Sequence, residues 1–408
     1  MAITYTATSN PGGLTGTALD GLPIEVTGLT LGTPYTFTVT ATADVASAAS
    51  TPSASVTPVV YVGKMMAWGY NSSGQLGQGD KIDRSSPVQV GALTRWSNIA
   101  GGAYTIATKI DGTLWSWGSN ANGELGLGDI IYRSSPVQVG TGTTWSKIAG
   151  GQATAAIKKD ATLWSWGKNN NGQLGLGNTI YKSSPVQVGT ETTWLNISGG
   201  GTGFAATKTS GTLWTWGYNY WGQLGLGDTI HRSLPVQVGA LTTWSKIATG
   251  TNVHTVAIKT NGTLWAWGYG GHGSLGGSGT TNLPVQVGAL TTWSNIAIGN
   301  RHTMATKTDG TLWSWGENNN GVLGLGDEIN RNSPVQIGAL TTWLNISCLG
   351  YAAFATKTDG TLWAWGYNGN GELGQGNIAN KSSPVQVGAL TTWSKISTGS
   401  GIAAAISK

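Results

Sequence analysis

The sequence predicts an all-β protein: a seven-bladed β-propeller closed by pairing of its N- and C-terminal strands, preceded by a small N-terminal β-sandwich-like segment. Three observations lead to this fold. A Trp-Gly dipeptide recurs in seven equivalent copies at intervals of 48 to 51 residues. Each interval holds four short runs with strand character. The first and last copies are complementary parts of one unit.

The composition agrees with a repeated, Trp-bearing unit and excludes several protein classes. The chain has 408 residues, with 65 Gly and 21 Trp but only 3 Phe. No apolar run approaches the ~18 residues that a membrane helix needs, so no membrane insertion is expected. The residue mixture typical of helices is scarce, which argues against an all-α or Rossmann-like fold. So many Trp can bury a large core, which argues against disorder.

The first element is a predicted domain of residues 1–58, followed by a propeller predicted at 59–408. Residues 24–30 and 35–40 read as strands, and Tyr35, Phe37 and Val39 alternate as residues on one face of a strand do. Residues 51–58 are rich in Ser, Thr and Pro. They are expected to form a last strand and a linker.

The propeller repeat is defined by three Trp positions, which account for 20 of the 21 Trp. One precedes Gly in all seven copies, one lies two residues earlier in six copies, and one opens a separate segment in all seven. We expect most of these side chains in the core. Trp221 is outside the pattern.

Each repeat reads as four strands joined by turns. WSKIAGG and a small-residue segment ending in Lys precede an Asp-Gly or Asn-Gly turn, as at Asp111-Gly112 and Asn261-Gly262. TLWSWG, an NGxLGxG turn and SSPVQVG follow. Asp-Gly and Asn-Gly between such runs indicate a hairpin.

The two ends of the repeat region predict that the ring is closed by one composite blade. Residues 62–69 align with the DGTLWSWG segment, so the first copy begins in mid-unit. The last copy stops at Lys408, which aligns with Lys109 and its equivalents. One blade should therefore be assembled from residues near 61–69 and 384–408, which would remove both sheet edges.

The repeat SxGQLGLGD…SSPVQVG…W..I..G..HT.A.K.DGTLWSWG resembles the regulator of chromosome condensation family over residues 61–408, about 85% of the chain. The resemblance implies a seven-bladed propeller that acts as a binding platform. Eukaryotic members exchange nucleotide on a small nuclear GTPase and bind nucleosomes, and secreted bacterial members include a β-lactamase inhibitor. The exchange factors use an inserted wedge between blades, whereas the loops here are short and uniform.

The N-terminal residues resemble the later strands of a bacterial fibronectin type III domain. In that resemblance Tyr35 is the tyrosine-corner residue. The early strands of such a domain are missing, so the segment is either truncated or completed by a partner strand.

The residues that could carry chemistry do not form a catalytic set. The acidic residues are dispersed in turns and hairpins, and no metal, nucleophile or phosphate-loop motif is found. Cys348 is the single cysteine and is expected to be a buried filler. The net charge of +5 is a mild bias, so no nucleic acid is expected as a partner. No enzyme, cofactor or metal site is predicted.

One charge pattern recurs ahead of SSP. Arg occurs where Asp stands four residues earlier, as at Arg84 and Asp80, and Lys occurs where Asn stands, as at Lys182 and Asn178. The simplest explanation is a local contact across the loop. The alternative is a basic rim for an acidic partner.

Candidate partner-binding residues occupy two variable slots. The first, ahead of the recurring Lys, contains Tyr104, His254, Arg301, His302 and Tyr351. The alternative for its histidines is hydrogen bonding to backbone near the shaft. The second slot follows Trp-Gly and contributes Tyr218, Tyr220 and Trp221, with His231 nearby. Exposed Trp and Tyr favour binding of proteins and sugar faces. The alternative is packing against a neighbouring loop.

These observations lead to a non-enzymatic binding or structural module of a cell-surface or bacteriophage virion protein, with the propeller faces contacting protein or glycan. The alternative is a regulatory protein, either an enzyme inhibitor or a small-GTPase nucleotide-exchange factor. The expected location is extracellular, on a cell surface or a virion, although no signal peptide is visible in MAITYTATSNPGG.

Overall fold

The computed structural model describes residues 3–19, 24, 26–30, 33–43, 47–57, 63–92, 94–199, 201–250, 253–277, 279–399 and 401–407. The chain divides into two compact units, residues 1–62 and residues 63–408. The predicted boundary between residues 58 and 59 lies outside the described residues.

The first unit contains a three-stranded antiparallel sheet. Its strands are β1 (Thr4–Asn10), β2 (Thr15–Leu19) and β3 (Thr36–Thr42), in the order β2-β1-β3. The prediction of a strand at residues 24–30 is wrong for the described residues 26–30, which belong to no strand. Strand β1 pairs with β2 from Thr4 to Thr8 and with β3 along its whole length, so a segment earlier in the chain than 24–30 supplies the neighbouring strand of β3.

A serine-rich segment covers the other edge of β3. The backbone N–H groups of Ser47, Ser50 and Ser53 donate to carbonyls of β3, and their hydroxyls accept from N–H groups of the same strand residues. These serines are three residues apart, whereas their partners Ala41, Val39 and Phe37 are two apart. A regular strand was predicted to begin at residue 51, but the segment pairs as an isolated bridge between Val56 and Tyr35.

The second unit is a ring of seven four-stranded antiparallel sheets, as predicted. Blades 1 to 6 each use four consecutive strands, and the closing blade combines two strands from the C-terminal end of the unit with two from its N-terminal end. The strand bounds, blade by blade and with the closing blade last, are β6 (Trp96–Gly101), β7 (Tyr104–Lys109), β8 (Leu114–Gly118), β9 (Arg133–Gln138); β10 (Trp145–Ala149), β11 (Ala153–Lys158), β12 (Leu163–Gly167), β13 (Lys182–Gln187); β14 (Trp194–Gly199), β15 (Gly203–Lys208), β16 (Leu213–Gly217), β17 (Arg232–Gln237); β18 (Trp244–Thr249), β19 (His254–Lys259), β20 (Leu264–Gly268), β21 (Thr281–Gln286); β22 (Trp293–Ile298), β23 (His302–Lys307), β24 (Leu312–Gly316), β25 (Arg331–Gln336); β26 (Trp343–Leu349), β27 (Ala352–Lys357), β28 (Leu362–Gly366), β29 (Lys381–Gln386); and β30 (Trp393–Gly399), β31 (Ile402–Ser407), β4 (Lys64–Gly69), β5 (Arg84–Gln89). Two short 3-10 turns lie at Gly271–Gly273 and Asn319–Gly321.

The closing blade confirms that the two ends of the unit pair. Strand β31 is antiparallel to β4 from Ile402 opposite Gly69 to Ser407 opposite Lys64. One detail of the alignment is wrong. In the other blades the recurring Lys is opposite the first-strand Trp, but here Ser407 is opposite Trp393. Lys408 itself lies outside the described residues.

Adjacent blades are joined by the Trp that precedes Gly. Its side chain is fully buried in all seven copies, and its indole N–H donates to a carbonyl of the preceding blade. In the closing blade, Trp68 Nε1 donates to Glu372 O at 2.7 Å. The ring is therefore joined at this boundary by the same contact as at the others.

The first strand of each blade contacts the first strands of the neighbouring blades and lines a central shaft. The Trp that opens this strand is buried and packs against the Trp before Gly, with ring centroids 5.8–6.3 Å apart. These tilted and edge-to-face contacts are favourable for aromatic pairs. The core thus consists of apolar layers between blades, with tryptophan at every layer.

Candidate functional site

All candidate binding residues lie at one end of the propeller. In an antiparallel blade, the loop between strands one and two and the loop between strands three and four emerge at the same end. We call this end the loop face. It carries the slot that begins strand two, including His254 in β19, and the long loop after Trp-Gly, including Tyr218.

A buried asparagine shapes the long loop. In blade 3, Asn219 donates from Nδ2 to the carbonyls of Asp228 and Ile230, and its Oδ1 accepts from Leu224 N–H at 2.9 Å. The equivalent residues in five other blades are buried and bonded alike: Asn71, Asn120, Asn169, Asn318 and Asn368. Sequence reasoning missed this role, although Asn two positions after Trp-Gly was a usable signal.

His231 belongs to the support of this loop. Its Nδ1 accepts from Asn219 N–H at 3.1 Å, and its ring lies 4.7 Å from that of Tyr218. Partial burial lowers the pKa of His231 below its ordinary value. A neutral ring with Nδ1 free to accept fits the hydrogen bond that the loop requires.

Aromatic rings form a continuous chain across the loops of blades 3 and 4. Tyr218 stacks on Tyr220 at 6.3 Å, Tyr220 meets Trp221 edge-to-face at 5.0 Å, and Trp221 lies 4.7 Å from Tyr269. The guanidinium of Arg301, from blade 5, lies 5.9 Å from the Tyr269 ring centroid. We call these five residues the aromatic surface. Tyr220 is 59% exposed and Trp221 is 37% exposed.

A buried carboxylate fixes the far end of the aromatic surface. Glu317 is 4% exposed, and its Oε1 lies 3.8 Å from Arg301 Nη1 and 4.0 Å from His272 Nε2. The side chain of Asn319 donates to the same oxygen at 2.9 Å. The Oε2 atom has no hydrogen-bond partner among the described residues. Arg301 is therefore held by charge attraction while remaining partly exposed.

Tyr351 lies apart from the aromatic surface, in a groove between blade 6 and the closing blade. The groove has a volume of about 300 Å³ and is lined by Tyr70, Tyr351, Tyr367 and the buried Glu372, among others. Tyr70 and Tyr367 are partly exposed. The structure thus separates Tyr351 from the other exposed candidates.

Three candidates are buried and do not face a partner. Tyr104, His254 and His302 are each at most 1% exposed. Tyr104 OH donates to Ala153 O at 2.8 Å, and His254 Nε2 lies 3.0 Å from Thr303 Oγ1. The alternative for the histidines, hydrogen bonding to backbone, is not seen among the described residues, because His254 contacts a threonine side chain and the ring nitrogens of His302 have no hydrogen-bond partner there. The three side chains fill space between blades because the slot points at the adjoining blade.

His302 is buried without the hydrogen bond that His254 makes. His254 of blade 4 contacts Thr303 of blade 5, but the equivalent position beside His302 is Ala353 of blade 6. Both ring nitrogens of His302 lack a hydrogen-bond partner among the described residues. Burial lowers the pKa of His302 to about 4. Burial and the nearby His302 lower the pKa of His254 to about 3. Both rings are neutral at physiological pH.

The recurring Arg and Asp form local ion pairs, as predicted. The four Arg Nη2–Asp Oδ2 distances are 2.5–2.6 Å, for Arg84–Asp80, Arg133–Asp129, Arg232–Asp228 and Arg331–Asp327. The guanidinium does not bind the carboxylate with two parallel bonds, because Nη1 donates to a backbone carbonyl of the same loop. These cations stabilise their own loops.

Other candidate chemistry remains absent from the part of the chain that the structure describes. No group of three or more His, Cys, Asp or Glu side chains is arranged to hold a metal among these residues. Cys348 is buried, and burial raises the pKa of its thiol. The described residues contain no helix long and apolar enough to span a membrane.

Comparison with known proteins identifies the repeat. The model described as "Regulator of chromosome condensation (RCC1) repeat" matches residues 63–107, 111–157, 160–206, 210–258, 261–306, 309–355 and 359–406. The chain belongs to the RCC1 repeat family. A second RCC1 repeat model matches residues 293–322. A search of curated proteins finds no matching sequence.

Solved structures share the RCC1 propeller at low sequence identity. Human WBSCR16 has a TM-score of 0.76 at 20% identity, covering 85% of this chain and 99% of that one. Yeast RCC1 (Prp20), solved with Kap60 bound, has a TM-score of 0.76 at 19% identity, covering 85% and 89%. Prp20p from Saccharomyces cerevisiae, described with its binding properties to Gsp1p and histones, has 0.74 at 20% identity, covering 85% and 92%.

These comparisons correct the predicted location. The expectation of an extracellular, cell-surface or virion protein is contradicted by the proteins that share the propeller, which are described with Kap60, Gsp1p and histones. The RCC1 propeller is generally a protein-binding fold and not that of a classical enzyme. The comparisons do not show a fibronectin type III domain in residues 1–62.

Proposed function

We propose that this RCC1-family propeller is a non-enzymatic regulatory protein that binds a protein partner through the aromatic surface. The observation that carries the proposal is the row of Tyr218, Tyr220, Trp221 and Tyr269 beside Arg301. Trp, Tyr and Arg are the residues enriched at energetic hot spots of protein interfaces.

A residue that differs between blades supports an interface at the aromatic surface. Trp221 occupies the place of Asn171 in blade 2 and of Asn370 in blade 6. The backbone N–H groups of Asn171 and Asn370 stabilise their own loops by donating to the side chains of Gln173 and Glu372. The backbone of Trp221 makes the same contact with Gln223, so its ring is not needed for that bond. An exposed indole is then available to a partner.

Mutation of Trp221 tests the proposal. Affinity capture with the wild-type protein should recover a partner that Trp221→Ala fails to retain, while the matched variant Asn171→Ala retains it. With the purified partner, the loss should be about 2–4 kcal/mol of binding free energy, as for an interface hot spot. Equal binding by all three proteins would contradict the aromatic surface as the interface.

Two modes of regulation are candidates: inhibition of an enzyme, and nucleotide exchange on a small GTPase. The relatives described with Gsp1p and histones favour a regulator of the second type. Release of a fluorescent guanine nucleotide from the captured partner should accelerate on addition of this protein if it is an exchange factor. If the partner is instead an enzyme, its turnover should fall, and Trp221→Ala should restore it.

For the first unit we propose a partial fibronectin type III-like domain used for attachment. Tyr35 supports this, because its hydroxyl accepts from Thr30 N–H at 3.0 Å and its side chain is buried. This contact is the one that a tyrosine corner makes. Binding of a strand peptide to the isolated residues 1–62, detected by chemical-shift changes in the sheet, would test whether a partner strand completes it.

A further inference from the structure

The third residue of each first strand forms a polar ring in the shaft of the propeller. In chain order these residues are Asn98, Lys147, Asn196, Lys246, Asn295, Asn345 and Lys395. The seven first strands contain no acidic residue. Three positive charges therefore occupy one repeated position around a common axis, with no negative charge at any position of the strands that present them.

Asparagines hold two of the lysines in place. Lys395 Nζ donates to Asn98 Oδ1 at 2.6 Å, and Lys246 Nζ donates to Asn295 Oδ1 at 2.6 Å. Asn98 in turn donates to the backbone carbonyl of Ser146 at 3.2 Å, and Asn295 donates to that of Leu344 at 3.0 Å. These bonds run from blade to blade, and the ammonium groups of Lys246 and Lys395 are oriented before any ligand arrives.

The shaft has space for a small ligand beside this ring. A cavity of about 300 Å³ is lined by residues 98–99, 295–296, 345–346 and 395–396, each an Asn or Lys followed by Ile. Of the three lysines, Lys395 lines this cavity and Lys246 donates to Asn295 in its wall, while Lys147 occupies the equivalent position of blade 2. Among the described residues, none of Lys147, Lys246 and Lys395 forms an ion pair with a carboxylate.

The surroundings of Lys246 and Lys395 disfavour the charged forms of these side chains. Burial lowers the pKa of Lys246, and burial together with the charge of Lys147 lowers that of Lys395. Like charges at one repeated position raise the local positive potential, and a cleft lined by charge of one sign focuses it. An anion would relieve both effects.

We propose that the shaft binds a compact oxyanion of the phosphate type, with Lys147, Lys246 and Lys395 as its cationic partners. Ammonium groups serve as point-charge partners of phosphate oxygens. Three of them around an axis suit a small, multiply charged anion. The site is independent of the aromatic surface, which belongs to the loop face.

Calorimetric titration with inorganic pyrophosphate at low salt tests the site. The wild-type protein should bind, and Lys147→Asn/Lys246→Asn/Lys395→Asn should bind at least about tenfold more weakly, because each lost charge-assisted contact weakens binding. The substitution suits the fold, since Asn occupies this position in the other four blades. Lys81→Asn/Lys159→Asn/Lys182→Asn is the matched control, with the same change in net charge, and should bind as the wild type does.

A phosphoserine peptide distinguishes a free anion from a phosphate carried by a partner. Weaker binding of either probe by the shaft variant alone supports the site, and the tighter probe identifies the source of the phosphate. Equal losses in the two triple variants would mean general attraction to a basic protein and would overturn the proposal. Absence of pyrophosphate and peptide binding to the wild type at millimolar concentration would also overturn it. Unchanged thermal unfolding of the shaft variant without ligand verifies that it is folded.

Discussion

At the residue scale, a lysine and two tryptophans form one recurring unit. In blades 1 to 6 the recurring Lys Nζ lies 3.5–4.4 Å from the centroid of the middle Trp ring. The closing blade has Met66 in place of that Trp and Ser407 in place of that Lys. The cation and the ring are lost together, as expected if the lysine is retained for its contact with the indole faces.

Restoring this unit should stabilise the closing blade. Met66→Trp/Ser407→Lys should show a favourable coupling of about 0.5–2 kcal/mol, the range of a cation–π contact, beyond the sum of its single variants. Denaturant unfolding of the four proteins measures the cycle. A coupling of zero would show that the Lys over the Trp rings contributes nothing at this position.

The two buried histidines predict an acid-sensitive fold. Burial lowers the pKa of His254 to about 3 and that of His302 to about 4. Below pH 6.5 these histidines are therefore protonated in the unfolded chain but remain neutral in the folded protein. Stability should therefore decrease as pH falls from about 6.5 to 4, by a few kcal/mol.

The variant His254→Tyr/His302→Ala tests the source of this pH dependence. Both substitutions use residues found in the same slot of other blades, Tyr104 and Ala352. The unfolding free energy of the variant should vary less steeply with pH between 6.5 and 4 than that of the wild type. An unchanged slope would assign the acid sensitivity to other groups.

At the scale of the element, the long loop between strands three and four depends on one buried amide. In blade 2, Asn169 is fully buried and joins Leu174 N–H to the carbonyls of Asn178 and Ile180. The loop therefore keeps one shape while its exposed residues vary. This constancy is what allows blade 3 to display Tyr220 and Trp221 without changing its fold.

Removal of that amide should be costly. Asn169→Ala should lower the unfolding free energy by about 2–4 kcal/mol, because it leaves the buried Leu174 N–H and two loop carbonyls without their partner. The nearby residue Asn171 contributes its backbone N–H to the loop, which alanine retains, so Asn171→Ala is the matched control and should change stability by less than about 0.5 kcal/mol. Thermal and urea unfolding would measure both, and similar losses would contradict the assigned role.

At the scale of the whole molecule, the ring is sealed by strand β31. Its residues pair with Trp393 through Gly399 on one side and with Lys64 through Gly69 on the other. Ala403 and Ala405 pack in the same cluster as Trp68 and Phe354. The closing blade therefore shares its core with blade 6, and the two ends of the repeat region stabilise one another.

Deletion of residues 402–408 should open the ring. The loss exposes the edge of β4 and the core around Trp68, so unfolding should occur at a lower temperature and less cooperatively. Deletion of Lys408 alone is the control and should leave the transition unchanged. A truncated protein with the wild-type melting curve would contradict closure by β31.

The fold and part of the site could be predicted from particular residues. Trp-Gly spacing and the mid-unit start at residues 62–69 predicted seven blades and their closure, because strand periodicity and turn residues are local signals. Covariation of Arg with Asp predicted the four ion pairs, since both partners lie four residues apart in one loop. The departure of Trp221 from the repeat marked the loop that carries the aromatic surface.

Contacts between blades were decided only by the tertiary structure. The chain itself determined which segments become strands and how many blades they form, because those properties depend on local pattern and on repetition. It did not reveal that Tyr104 and His302 are buried, that Arg301 meets Tyr269 from another blade, or that Lys395 donates to Asn98 of the adjoining blade. The two contacts join residues about 30 and about 300 positions apart, and only the tertiary structure brings them together.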